Sequence, residues 1–290
     1  AGMLFALEVI IGSFAVHHVS AIVVASVVHG EILALANAPT FDPNKVASAK
    51  AETRSNWALQ NIYEPGSTFK IVAFSAALEN KLVRVEDRID CQMGAITVAG
   101  RVVHDHTAFG TLTIPEALAK SSNVAAIKLG IRVGDPTMYD YIKRFGFGSR
   151  TGIELPGETA GLLRKVERWQ PSSIGSIAIG QEIGVTPVQM VSAFGALAND
   201  GVRIAPHLIR EVRNAEGTVV YRAQPEQRRV ISSETAIAIR GMLEGVTLRG
   251  TAKQAQLDGY SAAGKTGTAQ KIDPKTRAYS ATKHVASFVG

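Results

Sequence analysis

Strand-like runs lie at both ends of the chain, and largely helical sequence lies between them. Residues 21–36 contain two β-rich segments around His29-Gly30, a pattern that predicts a hairpin. Strand composition returns in residues 260–270 and 284–290. Folding must therefore bring distant strands together, and this order favours an α+β fold. We expect the early and late strands to share one antiparallel sheet flanked by helices.

The middle of the chain predicts a mainly helical subdomain. Residues 111–200 have helical patterning, interrupted by a Gly-rich loop at 145–152. Residues 202–231 predict a β-rich excursion, and a helix is expected at 232–248. The loop starts with G-x-G, but no apolar strand precedes it, so a dinucleotide fingerprint is not indicated. No cofactor is predicted.

Composition places the chain among globular proteins. Of its 290 residues, 46% are hydrophobic and 19% are charged, which predicts a substantial core. The formal charge of +6 suggests affinity for anionic surfaces such as lipid headgroups or wall polymers. No basic run is interleaved with aromatic residues, so nucleic-acid binding is disfavoured. The single cysteine, Cys91, excludes an intramolecular disulfide and is expected to be a buried apolar residue.

The first twenty residues form an apolar segment that we set apart from residues 21–290. Between Ala1 and Val28 the only formal charge is Glu8. A membrane anchor needs about 20 clean apolar residues, and Glu8 interrupts the run early. Two interpretations remain open: buried strands or a core helix, and the remains of an export or anchor segment.

Ser67 is the first candidate nucleophile. The run Glu64-Pro65-Gly66 just before it predicts a turn. Residues 67–82 then predict a helix that is apolar nearly all round and therefore buried. Lys70 lies one turn further on, at a spacing that puts both side chains on one face. Desolvation should lower the pKa of Lys70, so that its neutral amine could take the serine proton.

The Ser-x-x-Lys pair also has a simple structural interpretation. Ser67 could cap the helix while the Lys70 side chain extends to solvent. The pair is also unspecific, since the chain contains a second copy, Ser280-Ala-Thr-Lys283, in a polar context.

Two further motifs strengthen the catalytic interpretation. Ser121-Ser122-Asn123 begins a predicted helix, and Lys265-Thr266-Gly267-Thr268 lies in a small-residue strand. Taken singly, the first could be a helix cap and the second an exposed strand. In chain order, S-x-x-K, S-x-N and K-T-G form the set found in penicillin-binding proteins and class A β-lactamases.

Longer runs extend this similarity over about residues 21–290. They are YEPGSTFKIV, LAKSSNVAAIKLG, GIELPGETAGLL, IAIGQEIGVTPVQM and GYSAAGKTGTAQK. Together they resemble the transpeptidase domain of class B penicillin-binding proteins. The Gly180-Gln181 run, which follows Trp169 and Ser172-Ser173, is more similar to the division and septum type than to the elongation type.

The resemblance implies catalytic roles for five residues. Ser67 attacks the carbonyl of a D-Ala-D-Ala stem peptide, or of a β-lactam, and becomes acylated. Lys70 is the base for that attack. Ser121 relays a proton toward the leaving group, Asn123 hydrogen-bonds the substrate amide, and Lys265 supplies positive charge beside Ser121.

The third motif is implied to bind substrate. Thr266 and Thr268 receive the substrate carboxylate, and the backbone N–H groups of Ser67 and Thr268 form the oxyanion hole. Gly267 lets the peptide approach the strand edge as an added strand. No metal ion takes part.

The resemblance also implies a cellular context. The protein would be a peptidoglycan D,D-transpeptidase of cell wall biogenesis, cell division and cell shape, and a target of β-lactam antibiotics. Its expected place is the periplasmic, extracytoplasmic face of the bacterial inner membrane. The full-length protein would carry an anchor and bind glycosyltransferase and divisome proteins. Residues 21–290 would be the transpeptidase domain, truncated at its C-terminal end.

The chain departs from the family pattern at the predicted hairpin turn. Family members usually carry an Asp near the position of Ser26, and often a Thr where His29 stands. These differences predict a less stable turn and leave the chemistry unaffected.

Other functions share part of this pattern. A D,D-carboxypeptidase carries all three motifs, and a β-lactam sensor or divisome scaffold would be a non-catalytic alternative. A hydrolytic β-lactamase usually needs a glutamate base in an E-x-x-L-N loop, and the sequence has none. His104-Asp105-His106 could suggest a metal site or a Ser-His-Asp triad, but a third ligand and a G-x-S-x-G elbow are missing. We therefore predict a polar loop near the cleft.

Overall fold

The computed structural model describes residues 4–11, 19–272 and 279–290. Its strands are β1 (Leu4–Ile11), β2 (Val19–Ser26), β3 (Ile32–Ala38), β4 (Arg88–Asp90), β5 (Ala95–Val98), β6 (Arg101–His104), β7 (Thr111–Thr113), β8 (Val202–Ile204), β9 (Glu211–Arg213), β10 (Val219–Arg222), β11 (Gln227–Arg229), β12 (Lys265–Ile272) and β13 (Tyr279–Val289). Its α-helices are α1 (Trp57–Gln60), α2 (Lys70–Glu79), α3 (Ile114–Ala119), α4 (Asn123–Val133), α5 (Asp135–Arg144), α6 (Ser173–Ala178), α7 (Pro187–Ala198) and α8 (Ser233–Arg249).

The main sheet combines both ends of the chain, which confirms the predicted α+β fold. Its five strands run in the order β12-β13-β1-β2-β3, and every neighbouring pair is antiparallel. The central helix α2 packs against α4, α5 and α8. Strand β12 lies at one edge of the sheet, so its outer side pairs with no other described strand.

The apolar N-terminal segment contributes a strand to this sheet. β1 lies between β13 and β2 and pairs with β2 over its whole length, from Leu4 opposite Ser26 to Ile11 opposite Val19. The structure therefore favours the strand interpretation for Leu4–Ile11. The boundary placed at residue 20 stays a prediction. Among the helices that the structure describes, none combines the length and apolar character needed to cross a bilayer.

The predicted hairpin at His29-Gly30 is confirmed by the pairing of β2 with β3. The Gly30 N–H donates to the Ser26 carbonyl at 2.8 Å, and the Ser26 side chain contacts Nδ1 of His29 at 3.3 Å. Gly30 has φ +76°, and a Cβ there would lie 2.7 Å from Ile204. The turn thus keeps a polar side-chain contact between the two positions that depart from the family pattern.

Helix α2 is buried, as predicted, but it is shorter than the expected 67–82. Residues Gly66–Phe69 form a 3₁₀ turn, and the α-helix runs only from Lys70 to Glu79. Asn80 caps it, and Lys81 takes the left-handed conformation with φ +55°, which stops the helix. Every residue from Lys70 to Ala77 is buried.

The rest of the fold follows the expected order of elements. Helices α3 to α7 occupy the region 111–200, and α8 begins one residue after its N-cap Ser232. The β-rich excursion forms two small sheets, β8 with β11 and β9 with β10. The strand expected from residue 260 begins only at Lys265, because residues 257–260 form a separate bridged turn.

Candidate active site

Ser67 lies in the 3₁₀ turn Gly66–Phe69, directly before α2, and its side chain is partly exposed. Gly66 has φ +56°, and its N–H donates to the Gly180 carbonyl at 3.0 Å. A Cβ on Gly66 would lie 3.1 Å from the carbonyl oxygen of Thr268. The Ser67 turn is therefore held between β12 on one side and the chain around Gly180 on the other. Pro65, not Ser67, stands at the cap of this turn.

Lys70 is fully buried, so the interpretation in which its side chain extends to solvent is wrong. Its Nζ donates to the Ser121 carbonyl at 2.5 Å and to Oδ1 of Asn123 at 2.8 Å, and it lies 3.2 Å from the Ser121 hydroxyl. Within the described residues, the Ser67 hydroxyl makes no hydrogen bond to Lys70. The spacing placed Ser67 and Lys70 on one face, but the structure directs the amine toward the second motif.

Ser121 links two of the three motifs. It stands between α3 and α4, and its hydroxyl lies 2.9 Å from Nζ of Lys265 as well as 3.2 Å from Nζ of Lys70. Its φ is +58°, a conformation that costs a residue with a Cβ roughly 1–2 kcal/mol. In this strained conformation the Ser121 hydroxyl lies within hydrogen-bonding reach of two buried amines. Strained backbone conformations of this kind are common at functional sites.

Asn123 is oriented by the loop that carries Asp105. Its Nδ2 donates to the His104 carbonyl at 2.7 Å, which leaves Oδ1 facing Lys70. The Asp105 carboxylate accepts from the Ser122 hydroxyl at 2.8 Å and from the backbone N–H groups of Asn123 and Val124. The polar loop thus lies beside the site, as predicted, and Asp105 caps α4. Sequence analysis missed this role, since a capping side chain 18 residues away has no local signature.

The electrostatics favour a neutral amine at Lys70. Burial is the largest cause that lowers its pKa well below the usual range, and the nearby Lys265 lowers it further. The Asp105 carboxylate partly opposes this effect. Burial also lowers the pKa of Lys265, to about 7. An uncharged lysine amine accepts a proton readily, so Lys70 is suited to act as a base.

The K-T-G motif lies on the edge strand β12. Lys265 is fully buried, and its Nζ donates to the Thr266 carbonyl at 3.1 Å. The Thr266 hydroxyl lies 2.7 Å from that of Thr251, a neighbour that sequence analysis did not single out. The Thr268 side chain is exposed. The strand therefore carries two threonine hydroxyls next to the buried Lys265.

Gly267 is required for packing behind the strand. A Cβ there would lie 2.6 Å from the Pro65 carbonyl and 2.6 Å from the Ser287 hydroxyl. Glycine thus lets the segment before Ser67 approach β12. The expected role of Gly267 in admitting a peptide stays a prediction.

The remaining candidates fall outside this arrangement. Ser280 and Lys283 lie on β13, where the Ser280 hydroxyl accepts from the Lys283 backbone N–H at 3.1 Å. Cys91 is buried, as predicted, and its Sγ contacts the Ser122 hydroxyl at 3.4 Å. In the part of the chain that the structure describes, no three His, Cys, Asp or Glu residues are grouped so that they could hold a metal ion.

Comparison with known proteins agrees with this geometry. The family model of the penicillin binding protein transpeptidase domain matches residues 20–290. The penicillin-binding protein PbpB of Mycobacterium tuberculosis is 38% identical over 284 residues, which cover 94% of this chain and 42% of that protein. The chain thus spans less than half the length of this relative.

Solved structures give the same result. The crystal structure of penicillin-binding protein 3 from Mycobacterium tuberculosis, complexed with aztreonam, superposes with a TM-score of 0.83 at 33% identity, covering 99% of this chain and 66% of that one. The D,D-transpeptidase domain of a peptidoglycan glycosyltransferase from Eggerthella lenta gives a TM-score of 0.79 at 28% identity, covering 93% and 72%.

The resemblance to class B penicillin-binding proteins is therefore confirmed, and the names of the relatives support the division type. The antiparallel sheet with flanking helices and a helical subdomain is the fold of these transpeptidase domains. The chain belongs to the family of penicillin-binding protein transpeptidase domains.

Proposed function

We propose that this chain is the catalytic domain of a peptidoglycan D,D-transpeptidase and works through an acyl-enzyme on Ser67. The observation that carries the proposal is the convergence on Ser121. Its hydroxyl lies 3.2 Å from Nζ of Lys70 and 2.9 Å from Nζ of Lys265, and Lys70 directly follows the turn that carries Ser67. A buried neutral amine, a relay hydroxyl and a partly exposed serine are the groups that acyl transfer needs.

In the first step, Ser67 attacks the carbonyl between the two D-Ala residues of a stem peptide. Lys70 takes the hydroxyl proton, and an Oγ–C bond forms while the C–N bond breaks. The proton passes through Ser121 to the departing D-Ala amine. The backbone N–H groups of Ser67 and Thr268 would stabilise the oxyanion. With a β-lactam, the same C–N bond is the ring amide, so the amine stays attached.

Substrate recognition is assigned to β12 and to α4. Thr266 and Thr268 would bind the carboxylate that ends a D-Ala-D-Ala peptide, with Lys265 adding positive charge. Asn123 would hydrogen-bond the substrate amide. Because β12 is an edge strand, the peptide can add to it as a further strand, with Gly267 at the point of closest approach.

In the second step, an amine from another stem peptide attacks the Ser67 ester: a C–N bond forms as the cross-link, the C–Oγ bond breaks, and the proton lost by the amine returns to Oγ of Ser67. A D,D-carboxypeptidase would use water at this point, and product analysis separates the two. The name of the Eggerthella lenta relative supports transfer to an amine. A β-lactam sensor would also be acylated but would not turn over peptides, whereas a divisome scaffold would not need the intact set of Ser67, Lys70 and Ser121.

The wider context is proposed on the same basis. The full-length protein would act in the bacterial envelope, at the extracytoplasmic face of the inner membrane, with an anchor outside the domain. Glycosyltransferase and divisome proteins would be its partners. β-Lactam antibiotics would bind covalently, in keeping with the complexes of penicillin-binding protein 3 with aztreonam and ampicillin.

Intact mass measurement after incubation with benzylpenicillin tests the acylation. We expect one added penicilloyl group, and peptide mapping should place it on Ser67. Ser67→Ala should abolish the mass increase, while Ser280→Ala, in the second Ser-x-x-Lys, should leave it unchanged. Label on any other serine would contradict the assignment. A donor peptide ending in D-Ala-D-Ala, offered with a D-amino acid acceptor, then distinguishes transfer from hydrolysis by the product formed.

A further inference from the structure

Glu64 lies three residues before Ser67, and its carboxyl connects two elements that meet at the Ser67 turn. Its Oε1 accepts a hydrogen bond from the Glu182 backbone N–H at 2.8 Å and another from the Tyr279 hydroxyl at 3.2 Å. Glu182 ends the turn formed by residues 180–182, and Tyr279 begins β13. No step of the proposed acyl transfer uses Glu64, so its contacts call for a separate explanation.

The link between Glu64 and Ser67 is short and stiff. Pro65 has its φ at −71°, where the ring restrains it, and Gly66 has φ +56° in close contact with β12. On the opposite side, a Cβ on Gly180 would lie 2.1 Å from the Gly66 carbonyl oxygen. The backbone is thus packed on both sides, and a displacement of Glu64 would be passed on to Ser67.

The turn at 180–182 is supported by the hydrogen bond that the Glu182 N–H donates to Glu64. Gly180 has φ +79°, and Glu182 has φ +60°, which is unfavourable for a residue with a Cβ. The Glu182 side chain points elsewhere, to Arg164 and to the Ser173 hydroxyl. Among the described residues, Glu64 is the one hydrogen-bond partner of the Glu182 N–H, so it supports the strained end of the turn.

The second contact connects Glu64 to the strands that carry the K-T-G motif. β13 begins at Tyr279 and pairs with β12 from Lys265 to Gln270. Burial raises the pKa of the Tyr279 hydroxyl, so it stays protonated and remains a donor. Burial also raises the pKa of the Glu64 carboxyl, whose Oε2 is buried without a hydrogen-bond partner in the described residues. The side chain therefore has little freedom to move.

We propose that Glu64 is a positioning residue, which holds the Ser67 turn in register with the 180–182 turn and with the β12–β13 pair. Its two hydrogen bonds place the nucleophile relative to Lys70, Ser121 and the strand that binds substrate. The carboxyl itself exchanges no proton with the substrate. This inference rests on the proposed acylation of Ser67.

Three variants of the 290-residue chain separate positioning from simple stability. Glu64→Ala removes both hydrogen bonds, Tyr279→Phe removes one, and Glu64→Gln keeps an oxygen that can accept both. We expect Glu64→Ala to lower the first-order acylation constant with benzylpenicillin by about 10- to 100-fold, because misplaced reacting groups cost rate steeply. The apparent dissociation constant should change by less than about threefold, since Thr266 and Thr268 are untouched.

The other two variants should lower the acylation constant less than Glu64→Ala does. Tyr279→Phe should slow acylation by about two- to fivefold, and Glu64→Gln should stay within about threefold of wild type with the same pH profile. Glu158→Ala is the matched control. Its buried carboxyl accepts hydrogen bonds from Thr151 and Gly152, so its loss should lower Tm without changing acylation per active site.

Acylation constants are measured on protein whose active sites have been counted by penicillin titration. If the wild-type protein is not acylated by penicillin, the proposed function itself is wrong. If the wild type is acylated and Glu64→Ala matches it per active site, the positioning role is wrong. Should Glu64→Ala fail to fold, unchanged acylation of Tyr279→Phe would overturn the proposal. A loss of about 100-fold or more in Glu64→Gln, with an altered pH profile, would instead assign Glu64 a role in proton transfer.

Discussion

Lys70 and Lys265 share one hydrogen-bond partner, the hydroxyl of Ser121, at 3.2 and 2.9 Å from their Nζ atoms. Both lysines are fully buried. Two buried ammonium groups within hydrogen-bonding distance of the same hydroxyl would repel each other strongly, so at most one of them holds its proton easily. In the mechanism proposed above, Lys70 is the neutral base and Lys265 is the group that carries charge.

Lys70→Arg should abolish acylation while the fold survives. Arginine keeps the hydrogen-bond donors, but its guanidinium stays protonated near neutral pH and cannot accept the serine proton. We expect the acylation rate with penicillin to fall by about two to four orders of magnitude, the range of general-base contributions. Lys128→Arg, on the same helix as Asn123 and paired with Asp90, is the control and should leave the rate unchanged. A rate within tenfold of wild type would exclude Lys70 as the base.

Lys265→Arg should remove an alkaline limb from the pH profile of acylation. The pKa of Lys265 lies at about 7, so its positive charge is lost as the pH rises through that value, and acylation should slow. Arginine stays charged over the whole range. Acylation rates measured from about pH 5.5 to 9 test this, with exposed Lys283→Arg as control. An unchanged alkaline limb in Lys265→Arg would assign it to another group.

Asp105→Asn should move the acid limb of the same profile to lower pH. The Asp105 carboxylate favours the charged form of Lys70 and so raises the pKa of that amine. Asparagine keeps an oxygen for the N–H groups of Asn123 and Val124 but carries no charge. The neutral form of Lys70 should therefore persist to lower pH. The control is Asp90→Asn, and an acid limb that stays in place or moves upward would contradict the prediction.

Thr268→Val should slow acylation by substrates that carry a free carboxylate. A charge-assisted hydrogen bond of this kind contributes roughly 1.5–3 kcal/mol, about one to two orders of magnitude in rate. A carboxylate-esterified analogue should lose much less, since it makes no ionic contact. The backbone N–H of residue 268 remains, so the oxyanion hole should persist. Stopped-flow rates for both substrates decide this, with Thr268→Ser as the variant that keeps the hydroxyl. Equal losses would mean that Thr268 shapes the strand.

Glu79→Gln should destabilise the fold at neutral pH but not at low pH. The Glu79 carboxyl accepts from the Ser232 N–H at 2.9 Å and from its hydroxyl at 2.7 Å, joining the end of α2 to the start of α8. Burial by itself raises the pKa of Glu79, but the hydrogen bonds from Thr235 and Ser232 outweigh it and lower the pKa below 4.5. This stabilisation is present above the unfolded pKa and is lost as the pH falls through the folded one.

Denaturant unfolding of Glu79→Gln and wild type measures that difference. At pH 7 we expect a loss of about 0.5–1 kcal/mol, small because the carboxyl is only partly buried and solvent screens it. The gap should close as the pH falls below about 4. Glu216→Gln, on an exposed turn, should match wild type at both pH values. A gap that is independent of pH would show that the charge of Glu79 is not involved.

Several features of the site followed from local pattern. The nearly uniform apolar character of residues 70–78 marked α2 as buried, and that burial lowers the pKa of Lys70. The S-x-N motif predicted a helix start, and Ser122 caps α4 by accepting from the Ala125 N–H. The burial of α2 and the start of α4 depend on hydrophobic periodicity and on capping, which act over one or two helical turns and can therefore be predicted from sequence.

Other features had no local signal. The pairing expected from spacing joined Ser67 to Lys70, whereas the Lys70 amine turns toward Ser121 and Asn123, 51 and 53 residues away. The helix cap supplied by Asp105 and the support given by Glu64 to Glu182 also join distant segments. Each depends on how helices and strands pack, and packing is settled by the whole core.

The family, the candidate groups and the α+β order of elements can be predicted from the sequence alone, because motifs and hydrophobic periodicity are local properties of short segments. Which amine contacts which hydroxyl depends on how the whole chain packs. Ser121 and Lys265 are 144 residues apart, and they meet because β12, paired with β13, closes the edge of a sheet whose other three strands, β1 to β3, come from the opposite end of the chain. Burial in that closed core, more than any neighbour in sequence, lowers the pKa values of the two lysines.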